Sequence, residues 1–276
     1  MMTDTAHVPP GIDAEKPTPG RIYDYLLGGS TNFPADRAMA EKILTVLPEL
    51  RDIVWANRGF HQRVARWIAE RGIRQFVDIG SGLPTVGNTH EVVRKVAPDA
   101  RVVYVDNDPL VAAHARELLT ADGAVAVFTC DLREPATVLG HPDLRALIDF
   151  TEPIGLLMTA VLHFVADGSD PWGLVARYVS ALAPGSYLAI SHSTAEKVPP
   201  AVVRRVTDAY ANATEQMYFR PLADVERFFA GLELVPPYPG APPGVVHMGQ
   251  WGADDPELAD SDGSRWGYGG VARVTG

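Results

Sequence analysis

The chain has 276 residues, a length that fits one large domain or one domain with an added segment. Its hydrophobic fraction of 46% and charged fraction of 21% exclude a disordered protein. The formal net charge of −10 disfavours a nucleic acid partner, because a polyanion is repelled unless a local basic patch overrides the field. A single cysteine, Cys130, excludes an intramolecular disulfide and a cysteine-cluster zinc site.

No membrane segment is predicted from the sequence. The start of the chain lacks a basic region followed by an apolar stretch. The longest apolar run, from Ile154 to Val165, has about a dozen residues, whereas roughly 18 are needed to cross a bilayer. We therefore expect a soluble, cytoplasmic protein without a membrane partner.

The first quarter of the chain differs in pattern from the rest. Residues 1–20 hold four prolines and no periodicity, which predicts a flexible tail. Apolar residues then recur at helical spacing over 21–73 in three segments. The first segment ends at Gly28–Gly29, the second begins at Pro34, and the third runs from about Leu50 to Arg71. We interpret 21–73 as an N-terminal helical cap or lid.

From residue 74 onward, short apolar runs alternate with helical patterns. Runs of about five apolar residues that alternate with helices are typical of parallel strands buried on both faces. The five runs cover 75–79, 101–105, 125–129, 154–158 and 187–190. The predicted helices that follow them include 86–97, 109–120 and 171–182, and a wrapping loop is predicted over 236–269. The sequence thus predicts an α/β fold, with a doubly wound sheet over 74–276.

Glycines and acids follow the first three runs. In an open α/β sheet the ligand lies beyond the carboxyl ends of the strands, where the strand order reverses. Gly80 and Gly82 follow the first run and permit a tight turn close to a ligand. Asp106 follows the second run, where a carboxylate can accept hydrogen bonds from both hydroxyls of a ribose. Asp131 and Leu132 follow the third, where they can contact the amino group and ring of an adenine.

The spacing of the glycines indicates which nucleoside fits. A dinucleotide site needs a third glycine three residues after the second, and here that position is Thr85. Pro84 also removes a backbone donor that a pyrophosphate would use. A ligand with ribose and adenine but no phosphate fits better, which points to S-adenosylmethionine. Asp78 could then bear on its ammonium group, directly or through water, and the segment from Thr159 to Phe164 would form the pocket floor.

The sequence also resembles a family of S-adenosylmethionine-dependent methyltransferases that is abundant in actinomycetes. The similarity covers about 20–275. The segments that carry it are 21–29 (RIYDYLLGG), 32–37 (NFPADR), 76–85 (FVDIGSGLPT), 103–109 (VYVDNDP), 160–164 (AVLHF) and 182–186 (LAPGS). The resemblance implies a Rossmann-like class I methyltransferase fold, with seven strands and the last one antiparallel. It also implies S-adenosylmethionine binding near Gly80, Gly82, Asp106 and Asp131, and it supplies no substrate.

The candidate cofactor-binding residues all follow predicted strands or end them. They are Asp78, Gly80, Ser81, Gly82, Asp106, Asn107, Asp131, Leu132, Ala160 and Val161. The class I pattern has a third glycine where this chain has Pro84, a departure shared with the family it resembles. The histidines lack a common metal-ligand spacing, so no metal site is expected.

His163 is the candidate catalytic residue. It stands just past the fourth strand, where an acceptor can reach it, and histidine suits proton transfer near neutral pH. A histidine that is hydrogen-bonded within the pocket wall is the alternative interpretation. His192, at the end of the fifth run, is a weaker candidate for the same role.

Four residues of the N-terminal segment are candidates for the substrate pocket or its lid. They are Tyr23, Tyr25, Phe33 and Arg37. Aromatic faces attract a sulfonium cation, although a packed helical cap would use the same residues. Arg37 would pair with an acidic acceptor or, alternatively, with Asp24 or Asp36. Trp251 and Trp266 would either roof the pocket or fill the core.

We therefore expect a methyltransferase that acts on a small-molecule acceptor by direct displacement. The alternative is a non-catalytic module that binds S-adenosylmethionine or S-adenosylhomocysteine, and a nicotinamide-dependent oxidoreductase is a distant third. A large enclosed cavity beside Ala160 and His163 would favour the enzyme, and a filled one the module. The sequence leaves the acceptor and the oligomeric state open.

Overall fold

The computed structural model describes residues 11–85, 87–119, 123–211 and 213–276, with the backbone alone at 115–119. The helices are α1 (Pro19–Leu26), α2 (Pro34–Leu44), α3 (Leu50–Glu70), α4 (Thr89–Val93), α5 (Pro109–Leu119), α6 (Pro135–Gly140), α7 (Pro142–Leu147), α8 (Pro171–Val179), α9 (Pro200–Tyr210) and α10 (Leu222–Glu226). The strands are β1 (Gln75–Ile79), β2 (Arg101–Asp106), β3 (Val125–Thr129), β4 (Gly155–Thr159), β5 (Tyr187–Ser193), β6 (Glu233–Leu234), β7 (Val246–His247) and β8 (Gly267–Arg273).

The strands form one sheet in the order β3-β2-β1-β4-β5-β8-β6, with β7 paired to β8. Strands β1 to β5 are parallel, and β8 runs antiparallel to β5. The predicted doubly wound α/β fold of the class I methyltransferases is therefore confirmed. The resemblance implied seven strands, and the eighth is the two-residue β7, formed where 246–247 pairs with 268–269.

The position of the site follows from the strand order. Strands β1 and β4 are neighbours, and the chain runs outward from them in opposite directions, to β2 and β3 on one side and to β5 on the other. The order therefore reverses between β1 and β4. Because both strands are parallel, their carboxyl ends open a crevice at the same edge of the sheet.

Each face of the sheet is covered by its own layer of helices. Along β1, Phe76 faces one layer and Val77 the other, as strand geometry requires. Phe76 packs with α3 residues such as Val64, whereas Val77 lies in the cluster that includes Leu144 of α7 and Leu174 of α8. Both layers are apolar, which is why the parallel strands carry nearly continuous hydrophobic runs.

The first helices pack into a separate cluster above the crevice. Ile22 of α1, Ile43 of α2, Val54 of α3 and Val206 of α9 all belong to it. Helix α1 begins at Pro19, two residues before the predicted start, and Thr18 caps it and is buried. Residues 1–10 of the predicted tail lie outside the described residues.

Some predicted boundaries differ from those in the structure. The helix predicted over 86–97 spans only Thr89–Val93, because Asn88 and Glu91 form a capping box at its start and turns follow its end. The loop predicted over 236–269 contains β7 and the first residues of β8. Within the described residues, no helix combines the length and apolar character that crossing a membrane requires.

Candidate cofactor and acceptor site

The glycine turn after β1 is built by close packing. Gly80 has a φ of +71°, and its N–H donates to the carbonyl of Val105 at 2.8 Å. A Cβ on Gly80 would overlap the side chain of Val161, which follows β4. Gly82 has a φ of +64° with open space beside it. Only glycine adopts these φ values while Val161 lies so close to residue 80. The turn therefore carries no side chains at these two positions and leaves space beside it.

Asp106 ties the end of β2 to this turn. Its Oδ2 accepts the N–H of Gly82 at 2.8 Å and its Oδ1 accepts the N–H of Asp108 at 3.0 Å. Burial raises the pKa of Asp106 to about 6, against the lowering effect of these backbone donors. Each carboxylate oxygen retains a lone pair for a further donor, such as a ribose hydroxyl.

Asp131 at the end of β3 is held by an arginine that the sequence interpretation did not use. Arg133 donates to both carboxylate oxygens of Asp131, at 2.7–3.0 Å. Burial opposes ionisation of Asp131, but the hydrogen bonds from Arg133 outweigh it and lower its pKa. Arg133 also contacts Glu215 at 3.1 Å, and Asn107 donates to Glu215 at 3.4 Å. Glu215 thereby connects the ends of β2 and β3.

The residue after β4 has an unusual backbone. Ala160 has a φ of +54°, in the left-handed region that favours glycine. Its N–H donates to the carbonyl of Ser191 at 3.2 Å and to the Ser191 hydroxyl at 3.0 Å. The Ser191 hydroxyl in turn donates to the side-chain oxygen of Asn57. These bonds from β5 and α3 hold the strained turn that begins the pocket floor.

Asp78 lies behind the cavity and does not line it. Its Oδ2 accepts the hydroxyl of Thr89 at 2.6 Å, and Thr89 contacts Nε2 of His61 at 2.9 Å. Nδ1 of His61 contacts the hydroxyl of Thr159 at 2.9 Å. Burial raises the pKa of Asp78 to about 6 and lowers that of His61 to about 3. Asp78 therefore reaches the cavity only through His61 and Thr159, which do line it.

The two candidate bases have different surroundings. Nε2 of His192 accepts a hydrogen bond from Arg220 at 2.7 Å, and Nδ1 donates to the Ser193 carbonyl at 2.8 Å. His192 is therefore locked in the wall, and it does not line the cavity. His163 does line it, and the N–H of Ser193 donates to its Nδ1 at 3.4 Å.

His163 is neutral and offers one free ring nitrogen. Burial, with the nearby His192 and Arg220, lowers its pKa well below 6.5. Because the N–H of Ser193 points at Nδ1, the proton of the neutral ring belongs on Nε2. Within the described chain, Nε2 has no hydrogen-bond partner.

A single cavity collects most of the predicted residues. Its lining includes Tyr23, Gly80, Ser81, Gly82, Asp106, Asn107, Asp131, Leu132, Ala160, Val161 and His163. Those that do not line it are Asp78, Tyr25, Phe33 and Arg37. Trp251 and Trp266 do not line it either. Trp251 is fully buried between Phe60 and Trp67, so it fills the core.

Three of the predicted lid residues have other contacts. The hydroxyl of Tyr25 donates to Glu41 at 2.7 Å. Phe33 packs in a separate apolar cluster with Leu83 and Leu110. Arg37 is exposed and donates to the backbone and side-chain oxygens of Asn32, so neither predicted carboxylate partner is used.

The sequence interpretation missed the polar residues of α3. Asn57, Arg58 and His61 all line the cavity and are nearly fully buried. They lie on the face of α3 that also carries Val54 and Val64, and polar residues on the buried face of an amphipathic helix were the available signal. Arg58 donates to Thr85 and Asn88 beyond the glycine turn, at 2.8 and 3.2 Å.

The segment before α1 roofs the glycine turn. Gly20 lies directly over Gly82, and the hydroxyl of Thr18 donates to Asp108 at 2.8 Å. Nε of Arg21 contacts the same carboxylate oxygen at 3.1 Å, in a pair that is almost fully buried. The segment after α9 joins this roof, because the N–H of Thr214 donates to the carbonyl of Pro17 at 3.0 Å.

The residues present fit a nucleoside without phosphate. A phosphate at the strand ends would face the carboxylates of Asp106, Asp108 and Asp131. Ribose hydroxyls, in contrast, suit Asp106, and Leu132 offers an apolar contact for a base. Among the lining residues, Arg133 is engaged by acids and Arg58 lies beyond the glycine turn, where a carboxylate would meet it. This set matches the adenosine and amino-acid parts of S-adenosylmethionine.

Comparison with known proteins agrees with this fit. The S-adenosyl methyltransferase family model matches residues 5–275. The structure resembles a candidate methyltransferase from Thermobifida fusca YX, with 42% identity, a TM-score of 0.89 and coverage of 99% and 100% of the two chains. It also resembles a DUF574 family protein from Streptomyces avermitilis MA-4680, with 42% identity, a TM-score of 0.87 and coverage of 95% and 99%.

A curated relative is more distant. The trans-aconitate 2-methyltransferase of Mycobacterium tuberculosis H37Ra is 30% identical over 173 residues, which is 62% of this chain and 57% of that protein. The chain therefore spans little more than half the length of this relative. The match to nearly the whole family model decides the classification: the chain belongs to the S-adenosyl methyltransferase family, whose cofactor is S-adenosylmethionine.

Proposed function

We propose that this chain transfers the methyl group of S-adenosylmethionine to a small-molecule acceptor held in the inner part of the cavity. The observation that carries the proposal is that the cavity continues beyond Ala160 and His163 into a space under α1 and α3. We call the part at the strand ends, where Gly80, Asp131 and Val161 line the cavity, the cofactor region. We call the part lined by Ile22, Leu26, Leu50, Ile53, Val54, Asn57, Phe164 and Tyr210 the acceptor region.

The cofactor region has a partner for each part of the cofactor. Asp106 would accept the ribose hydroxyls, and Leu132 would pack against the adenine. Arg58 would meet the methionine carboxylate beyond the glycine turn. When bound, S-adenosylmethionine supplies a methyl group on a sulfonium, which an acceptor displaces directly. The chain then mainly aligns the acceptor and excludes water.

The N-terminal segment would exclude that water. Residues 21–73 lie over the crevice, and Thr18 and Arg21 anchor them through Asp108. Tyr23 is the predicted lid residue that lines the cavity. We propose that 21–73 acts as a cap over the crevice.

His163 is the side chain best placed beside the reacting atoms. It follows the turn at Ala160, and its Nε2 has no other partner in the described chain. As predicted from the sequence, it would take a proton from a hydroxyl acceptor, which requires the tautomer with Nε2 unprotonated and Nδ1–H facing the Ser193 hydroxyl, 3.4 Å away. The Ser193 N–H favours the other tautomer, with the proton on Nε2, in which His163 would orient the acceptor by donating to it.

An enzyme explains the acceptor region better than a non-catalytic module does. A module that only senses the cofactor has no use for a second space beside it. The small-molecule class of acceptor is also supported by the mycobacterial relative, which is a trans-aconitate 2-methyltransferase.

The direct test supplies methyl-labelled S-adenosylmethionine and an extract of small metabolites. We expect a labelled small molecule with the wild-type chain and none with Asp106→Asn at low cofactor concentration. Titration calorimetry with S-adenosylhomocysteine provides the parallel binding measurement. Intact binding without any labelled product would favour the non-catalytic module instead.

A further inference from the structure

We propose that the methyl acceptor is a neutral, largely apolar molecule, with a ring and one polar group, and that carboxylate acceptors are excluded. This inference rests on the proposed function, because it concerns what fills the acceptor region. Most side chains there are hydrocarbon, including Ile22, Leu26, Leu50, Ile53 and Val54. Such a lining favours a molecule that brings apolar surface out of water.

Charge is absent from the acceptor region. None of the residues that define the acceptor region is charged. The charged residues that line the cavity are Arg58, Asp106, Asp108, Asp131, Arg133 and Glu215. Arg58 belongs to α3 but donates to Thr85 and Asn88 beyond the glycine turn, and Glu215 pairs with Arg133. His163, at the boundary, is neutral because burial lowers its pKa well below 6.5. A carboxylate in the acceptor region would therefore lose its hydration without gaining a counter-charge, which is strongly unfavourable.

Most polar atoms of the region are already paired. The hydroxyl of Tyr23 donates to the Val54 carbonyl at 3.2 Å and accepts from Asn57 at 2.9 Å. The side-chain oxygen of Asn57 accepts from Ser191. These groups stabilise the wall and offer little to a ligand, so they would not recognise a molecule with many polar groups.

Two polar atoms are left for a ligand. Nε2 of His163 and the hydroxyl of Tyr210 have no hydrogen-bond partner within the described residues, and both side chains line the cavity. Both residues are buried, with 5% and 7% of their surfaces exposed. Burial alone raises the pKa of Tyr210 to about 12, which agrees with a hydroxyl that no neighbour compensates. A polar group on the acceptor would pair with these atoms.

The wall between these two atoms is aromatic. The ring of Phe164 lies 4.5 Å from the ring of His163 and 6.0 Å from that of Tyr210, centre to centre. The ring planes are tilted by 59° and 46° relative to each other, so both edges and faces of aromatic rings line this side of the space, and they would pack against a ring of the acceptor. Because His163 follows the turn at Ala160, the polar end of the acceptor would face the cofactor and the apolar end would lie beneath α1 and α3.

The test uses matched probes that differ in charge. Calorimetry first measures S-adenosylhomocysteine binding, and the saturated protein is then titrated with 2-naphthol, 2-naphthoate and citrate. We expect 2-naphthol to bind at least tenfold more tightly than 2-naphthoate, and citrate not to bind. Equal or tighter binding of 2-naphthoate or citrate would overturn the inference, as would failure of 2-naphthol to bind.

Variants locate the probe. Ile53→Trp fills the acceptor region and should weaken 2-naphthol at least tenfold, with S-adenosylhomocysteine affinity kept within twofold. Trp55→Ala changes an exposed residue of the same helix and is the control. Tyr210→Phe removes one hydroxyl from the polar end and should also weaken 2-naphthol. If neither variant weakens it, the probe binds elsewhere and the inference is wrong. If the wild-type chain does not bind S-adenosylhomocysteine at all, the proposed function is contradicted instead.

Discussion

Gly80 and Val161 interlock across the reversal of strand order. The side chain of Val161 occupies the space that a Cβ on residue 80 would need, and Gly80 itself has a φ of +71°. The contact joins the end of β1 to the turn after β4. It sets the floor on which both the cofactor and acceptor regions rest.

We expect Gly80→Ala to destabilise the fold more than Gly82→Ala. Both positions have a positive φ, so both substitutions cost about 1 kcal/mol in backbone strain. Only the Cβ at position 80 meets another side chain, so that variant should lose at least ~2 kcal/mol more. Urea denaturation of the two variants gives the comparison. Equal losses would show that Val161 yields without cost.

Cofactor affinity should depend on the protonation of Asp106. Burial raises the pKa of Asp106 to about 6, and the ionised carboxylate is the better acceptor for ribose hydroxyls. Affinity for S-adenosylhomocysteine should therefore fall by roughly tenfold between pH 7 and pH 5. Asp106→Asn should bind more weakly at pH 7 and show no such fall. A pH dependence that survives in this variant would point to Asp78, whose pKa is also about 6.

His192 should make the fold less stable in acid. Burial, followed by the Arg220 charge, lowers its folded-state pKa to about 3 from 6.5. A group with a depressed pKa stabilises the fold above 6.5, and this contribution is lost as the pH falls from 6.5 toward 3. His192→Gln keeps an acceptor for Arg220 but does not titrate. Between pH 7.5 and pH 5, the free energy of unfolding of this variant should therefore fall by roughly 2 kcal/mol less than that of the wild-type chain.

The comparison of these two proteins isolates His192 together with its effect on the pKa of His163. Asp78 and Asp106 have raised pKa values and so stabilise the fold as the pH falls, but both proteins contain them. His61 acts in the same direction as His192 and is also common to both. Urea denaturation at the two pH values gives the four free energies of unfolding. Identical pH dependence in the two proteins would contradict a neutral, buried His192.

Glu215 should slow the release of the cofactor. Its carboxylate contacts Arg133 and Asn107, which belong to different strand ends. Since the Arg133 side chain is 42% exposed, the pair contributes modestly, and Glu215→Ala should speed S-adenosylhomocysteine dissociation about two- to fivefold. Stopped-flow displacement measures this rate. Asp262→Ala, which breaks a surface pair with Arg265, is the control and should leave the rate unchanged.

Two substitutions of His163 distinguish proton transfer from positioning. Glutamine keeps an N–H donor but cannot take a proton at neutral pH, whereas alanine removes both functions. If His163 is the base, His163→Gln and His163→Ala should lose turnover equally, by roughly 10²-fold or more with a hydroxyl acceptor. If it only positions the acceptor, the glutamine variant should retain most of the turnover. Turnover that is unchanged in the alanine variant would remove His163 from the site.

The positions of the strands along the chain follow from the local sequence pattern. The runs at 75–79 and 125–129 coincide with β1 and β3, because short runs that are rich in β-branched and aromatic residues and bounded by turn-formers favour strands over helices. Parallel strands deliver their carboxyl ends to one edge, so Gly80, Asp106 and Asp131 were expected together, and they line one cavity.

Asp78 marks the limit of that reasoning. It lies near the end of the strand that leads into the glycine turn and was expected to bear on the ammonium group of the cofactor, directly or through water. Side chains alternate along a strand, so Asp78 shares the face of Phe76 and points into the layer under α3, where the Thr89 hydroxyl donates to it and neutral His61 lies 3.8 Å away. The sequence showed that side chains alternate along this strand, but it did not show which helices pack on the face that carries the carboxylate.

By itself, the sequence determined the α/β sheet, the glycine turn and the acids beside it, because each depends on residues within a few positions of one another. Tertiary structure alone decided which helices complete the cavity. Helical periodicity shows that one face of α3 is buried, but not that Asn57 meets β5, Arg58 the loop after β1 and His61 the end of β4. The same holds for Tyr210 of α9, which lies 130 residues beyond Gly80 along the chain. The burial of apolar surface that brings such distant segments together is non-directional, so local sequence does not specify its partners.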